Sequence, residues 1–120
     1  QEVMEPLKAS SLPLTEWILY ALKLMEQDRA FYRKVIVALS QEFITELDRS
    51  VMAPKMNAVL WGGEPRNPGQ RFLVEFAAQA VTTRLVLFVS SRRALNEQEV
   101  RSKIQYLLAE LRKGISIATN

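Results

Sequence analysis

From position 14 onward apolar residues recur at helical spacing. Leu14, Ile18, Leu22 and Met25 mark one face, and the stripe continues in phase through Arg29, Tyr32, Ile36, Leu39 and Phe43 in alternating steps of three and four. That period predicts α-helix, and no glycine or proline interrupts residues 14–53. Two readings fit it. One is a single long helix with a heptad-like seam in which Arg29 is the polar intruder. The other is a break at Gln27-Asp28, with Asp28 capping a second helix that runs to about Arg49. The break is favoured, because an unbroken helix of roughly 35 residues is uncommon in a small domain. In the first segment Glu16, Tyr20, Lys23 and Gln27 form the only polar strip, while Trp17, Leu19, Ala21 and Leu24 make the remaining circumference apolar. A helix of that kind is buried on more than one side.

Residues 50–61 predict a shorter element around Pro54, with Met52, Met56, Val59 and Leu60 turned to the core. The stretch VLWGGEPRNPGQRF follows and interrupts the periodicity with three glycines and two prolines. Beyond it, Phe72, Phe76, Ala80 and Leu87 form one apolar stripe, and Val74, Val81, Leu85 and Phe88 form another on the opposite side. Glu75, Gln79 and Thr82 make a narrow polar seam between them. Two such stripes predict a central helix with neighbours all round. The β-branched run VTTRLVLFVSS supports a rival strand over residues 82–89. After a turn at residues 90–95, Asn96 stands three positions before Glu99 as an N-cap, and Val100, Ile104, Leu107, Leu108, Leu111 and Ile115 form one narrow stripe. Gly114, after Arg112 and Lys113, reads as the stop.

These elements define an all-α chain. A bundle of four to five helices over residues 14–116 is expected, with an N-terminal arm at 1–13 and a Gly/Pro connector at 62–69. The alternative is an α+β fold with residues 82–89 as a strand. The length of 120 residues suits one domain with one core. A hydrophobic content of 48% with 24% charged residues is ordinary for a globular chain. The longest uncharged runs are parted by Arg84, and neither approaches the roughly 20 apolar residues of a bilayer span, so no membrane association is expected. The chain begins with Gln1, which suggests a processed product or a piece of a longer protein.

The chain contains no cysteine and no histidine. Disulfides, thiolate zinc sites, thiol nucleophiles and imidazole bases are therefore excluded, and a reducing intracellular location, cytoplasmic or nuclear, is the expectation. Glu42 and Glu46 have the spacing used by di-metal carboxylate bundles, but those sites also need histidine, so a solvated face with Arg49 explains them better. The connector lacks phosphate-loop spacing, and its prolines remove the backbone donors such a loop requires. It reads as a joint, with Asn67-Pro68 opening the next helix and Trp61 pinning the loop. No enzyme activity and no cofactor are expected.

Charge is unevenly distributed. Residues 1–63 carry seven Lys+Arg against eight Asp+Glu, and residues 64–120 carry nine against five. Arg92, Arg93, Arg101, Arg112 and Lys113 could track a phosphate backbone along the last helix, which makes nucleic-acid binding the alternative function. Glu97, Glu99 and Glu110 interrupt that strip and favour a solvated face. The leading expectation is a non-catalytic protein-interaction or assembly module, a scaffold or adaptor. Trp17, Tyr20, Leu24 and Tyr106 are its candidate partner-binding residues, and the segment from Leu14 with its continuation through Phe43 is the candidate homodimer seam. It rests on the absence of catalytic chemistry and a surplus of apolar helix faces.

Overall fold

Asp28 breaks the first long apolar pattern. In a computed structural model that describes residues 5–8 and 11–119, except for the side chains of 39, 40 and 114–119, helix α2 spans Leu14–Gln27 and α3 spans Arg29–Leu47. Asp28 between them has φ −141° and ψ 61°, outside the helical region, and its carboxylate accepts the Phe31 N–H at 3.4 Å. The remaining helices are α1 (Glu5–Lys8), α4 (Ala53–Trp61), α5 (Pro68–Ser90) and α6 (Glu97–Thr119). No strand occurs among the described residues, so the α+β alternative is overturned: residues 82–89 lie inside α5. Thr82, Val86 and Val89 of that run are buried on a helical core face, and tertiary burial outweighs β-propensity there. Leu39 and Ile115, assigned to apolar stripes, lie outside the described side chains.

The element around Pro54 does not stand apart from α3. A π-helical turn at Asp48–Met52 joins the two, with the Ala53 N–H reaching back to the Asp48 carbonyl. Pro54 has no N–H to offer the Ser50 carbonyl, and its ring would press on that carbonyl in a regular helix. The wider turn absorbs the misfit without breaking the helical path. Asp48 Oδ1 in this turn and Thr82 Oγ1 on α5 are both buried without a hydrogen bond of normal geometry. Burial pushes the Asp48 carboxyl up, and the nearby Thr82 hydroxyl opposes the rise.

The connector ends α4 at Gly62, whose φ of 73° is the left-handed conformation that suits glycine, and its N–H closes on the Ala58 carbonyl at 3.0 Å. Trp61 is half-buried and donates its indole N–H to Asn57 Oδ1 at 2.8 Å. Asn67 then caps α5 by accepting the Gln70 N–H at 2.8 Å, and Gln70 Oε1 accepts the Arg66 N–H in return at 2.7 Å. Asn96 caps α6 in the same way through the Glu99 N–H at 3.1 Å. Gly114 does not stop α6, which continues to Thr119.

The core is built on α2, whose Leu14, Trp17, Ile18, Leu19, Ala21, Leu22 and Met25 are all buried. Against it lie Phe43 and Leu47 of α3, Val51 and Met52 of the π turn, Met56 of α4, and Val74, Ala78, Leu85 and Val89 of α5. Helix α5 touches α2, α3, the π turn and α4. It is nevertheless covered on one side only. Phe72, Phe76 and Leu87 are 64%, 68% and 55% exposed, and Ala80 is exposed with them. The expectation of neighbours all round is corrected: the fold has enough helices for one stripe of α5, not both. Thr82, placed in the polar seam by the sequence, is fully buried, while Glu75 and Gln79 face solvent. With both stripes apolar, α5 is by length and composition able to cross a bilayer, at a mean hydropathy of 1.6 over its most apolar window. Counting only uncharged runs misses this, because Arg84 splits the run without changing the character of the helix.

The second apolar side of α2 is covered by the N-terminal arm. Leu7 of α1 is buried, its carbonyl accepts the Trp17 indole N–H at 2.9 Å, and Lys8 pairs with Glu46 at 3.1 Å. Hydrogen bonds from Ser50 and Lys8 hold the Glu46 carboxyl down at about 2, below its ordinary 4.5. A depressed carboxyl stabilises the fold above its unfolded value and loses that contribution as pH falls toward its folded value. Glu46→Gln should therefore be less stable than the parent at neutral pH, with the gap closing between pH 4.5 and about 2 in urea titrations. Trp17→Ala should cost about 3–5 kcal/mol by urea denaturation. Trp17→Phe keeps most of the volume but orphans the Leu7 carbonyl, and about 1–3 kcal/mol should be lost.

Candidate protein-interaction surface

The arm decides the fate of the first candidate residues. Trp17 is fully buried, so it serves the core and presents nothing to a separate chain, contrary to expectation. Tyr20 is half-buried with its hydroxyl 3.4 Å from the Pro6 carbonyl, and Leu24 is half-buried against the core. Of the four, only Tyr106 stands clear, at 68% exposure, and a single exposed aromatic is ordinary. Seven residues of α2 are buried within the chain, while its continuation α3 exposes Phe31 and Val37.

The basic residues of the last helix are also largely engaged within the chain. Arg101 reaches across to α2 and grips both carboxylate oxygens of Glu16, at 2.6 and 3.2 Å. Its hydrogen bond holds the Glu16 carboxyl below the ordinary value. Lys23 of α2 pairs with Glu97 at 3.2 Å, so the polar strip of α2 is the docking edge for α6. Arg93 pairs with Glu99, Lys113 with Glu110, and Arg112 donates to the Val59 carbonyl at 3.1 Å. Arg92 is exposed. The five do not form one outward cationic strip. Glu46, the metal-spacing candidate, accepts from Lys8, Arg49 and Ser50, while Glu42 is exposed. No cluster suited to a metal ion occurs among the described residues.

Two arginines of α3 organise the end of α5. Arg29 donates to the Ser91 carbonyl at 2.6 Å and the Arg93 carbonyl at 2.8 Å, and its guanidinium lies 4.5 Å from the centre of the Phe88 ring. Arg33 donates to the Val89 carbonyl at 2.9 Å. These cations satisfy carbonyls that a helix end leaves open, and they complement its negative pole. Glu26 completes the clamp by accepting the Leu95 N–H at 2.8 Å. The polar intruder of the heptad-like stripe is therefore a structural tie to a segment more than sixty residues away.

The clamp fixes where α6 begins, and α6 then lies over α2 and scarcely touches α5. Between α5 and α6 an open trough of about 560 Å³ remains. Its floor is Ile18 and Leu22 of α2. One wall is Val81, Leu85 and Phe88 of α5, the other Val100, Ile104 and Leu107 of α6, and the 93–96 segment closes one end. Arg84, Arg93, Lys103 and Glu99 are the charged residues around it. Leu87 belongs both to this lining and to the uncovered stripe of α5, so trough and stripe are continuous. On that stripe Phe72 and Phe76 stack with ring centres 6.1 Å apart.

Phe72, Phe76 and Leu87 were not among the sequence candidates. Their signal was the second stripe of α5, which was visible, but whether another helix would cover it was not. Fold and surface define a helical globule with an unfilled trough between two of its helices. No protein-family model, no curated protein and no solved structure matches the chain.

Arg29→Met should cost about 2 kcal/mol, since it removes charge-assisted hydrogen bonds to two carbonyls. Urea denaturation reads the loss, and amide exchange should quicken first at residues 91–95.

Proposed function

We propose that the chain is a non-catalytic protein-interaction module, an adaptor or assembly component whose binding surface is the uncovered face of α5. The observation that carries this reading is the exposed row of Phe72, Phe76 and Leu87 on a helix whose other face is core. Large exposed aromatics on a rigid core helix are preorganised anchors, and contiguous apolar surface of this kind marks interaction sites. Ala80 and Thr83 lie between Phe76 and Leu87, so the row is bulky at its ends and shallow in the middle, a profile that admits a partner side chain. The absence of histidine and cysteine from the chain leaves few means of acid–base or nucleophilic catalysis. Nucleic-acid binding is not favoured, because Arg93, Arg101, Arg112 and Lys113 are already engaged within the chain.

Phe72→Ser with Phe76→Ser should leave the urea midpoint nearly unchanged, because both side chains are exposed, and should weaken partner binding by about 2 kcal/mol or more. A photoreactive benzoylphenylalanine at position 76, introduced in the producing cell, should give discrete protein adducts, while the same group at exposed position 45 should give none. Sedimentation equilibrium of the purified chain identifies the case in which the partner is a second copy. Flotation with anionic phospholipid vesicles that depends on Phe72 and Phe76, or no adduct at position 76, would overturn the reading.

A further inference from the structure

The trough between α5 and α6 specifies its occupant more closely than the open stripe does. Val81, Leu85 and Phe88 on one wall, and Val100, Ile104 and Leu107 on the other, repeat the same spacing of four and then three residues. Each wall is thus about two helical turns, roughly 10 Å, of apolar seam facing a shared space. Leu85 and Ile104 are buried at the base, while Val81, Phe88, Val100 and Leu107 remain half-exposed above them. Two helical seams over an apolar floor are the receptor half of a helix-in-groove complex, which a third helix with anchors at i, i+4 and i+7 completes by ridge-into-groove packing. An enclosed small-molecule site would bury most of its ligand, whereas this trough is open to solvent.

Charge sets the class of helix. Arg84 stands on the α5 rim, exposed and without an ion pair among the described residues, while Lys103 stands on the α6 rim and Arg93 at the closed end. Glu99 is the single carboxylate among them and is shared between Arg93 at 3.4 Å and Lys103 at 2.8 Å. Three cations against one anion leave the rim positive by two. A lysine-rich helix is repelled there, and a glutamate-rich one is attracted and oriented.

We infer that the trough binds an amphipathic acidic helix of a partner protein, with its apolar face between α5 and α6 and its carboxylates against Arg84 and the net positive charge that Arg93 and Lys103 leave on the rim after sharing Glu99. This rests on the interaction reading but uses a different part of the surface, so the two can fail separately. The probe is a phage-displayed library of 18-residue helices with leucine fixed at i, i+4 and i+7 repeats and the other positions drawn from Glu, Lys, Gln and Ala. Selection against the full chain should enrich glutamate on both flanks of the leucine stripe. A fluorescein-labelled winner should lose about tenfold or more in affinity for the Arg84→Glu, Lys103→Glu variant. Both positions are exposed, circular dichroism checks that the variant folds, and its own selection should turn toward lysine. Phe72→Ser with Phe76→Ser should leave this binding unchanged, so a silent selection alongside adducts at position 76 removes the trough proposal and keeps the interaction reading. No enrichment over bare support, lysine-rich or charge-indifferent winners, equal affinity for the charge-reversed variant, or occupation by sodium dodecanoate in place of any helix overturns it.

Discussion

The clamp that Arg29, Arg33 and Glu26 place on the end of α5 is the constraint from which the rest of the architecture follows. A core helix must end somewhere, and its last carbonyls need partners. Here the partners are two guanidiniums from the start of α3, with the Glu26 carboxylate holding the next stretch of chain by the Leu95 N–H. The segment after α5 is thereby drawn toward the α2–α3 junction. Helix α6 starts from that point and is guided along the polar edge of α2 by the Glu16–Arg101 and Lys23–Glu97 pairs. These pairs are exposed and add little stability, but they choose which edge α6 follows. An open trough beside α5 is the geometric consequence.

Apolar surface is distributed unequally between the two helices that carry most of it. Helix α2 has more than one apolar side, and the chain covers the excess itself, with Leu7 and the carbonyl that receives the Trp17 indole. Helix α5 has two apolar sides, and only the inner one is covered by α2, α3, the π turn and α4. Its outer row is consequently where an uncovered face survives folding. The same reasoning explains why composition places α5 near the class of bilayer-crossing helices, since hydropathy sums over both faces and does not record which one is packed.

The π turn and the connector show two ways in which proline and glycine shape this chain. Pro54 sits within a continuing helical path, and its missing donor is absorbed by one wide turn. Gly62 stops α4 because its left-handed conformation turns the chain away from the helix axis, and Asn67-Pro68 restarts it. The connector is therefore a stop and a start placed close together.

Spacing and capping signals in the sequence determined the long helices, the caps at Asn67 and Asn96, and the two-sided character of α2 and α5, because these are local properties that a few neighbouring residues fix. The break at Asp28 was only the favoured of two readings, since the stripe runs in phase across it. Local reasoning failed where the partner of a group lies far along the chain. The partner of Trp17 is ten residues upstream in the arm, and that of Arg101, Glu16, lies eighty-five residues away, so neither tie is visible in local spacing. It let Gly114 end a helix that goes on to Thr119. It also found the stripe of Phe72, Phe76 and Leu87 without knowing that it would stay exposed. Which apolar face is covered, and by what, depends on how many helices reach it and at which edge they dock. That is a property of the assembled globule, so only the tertiary structure could decide it.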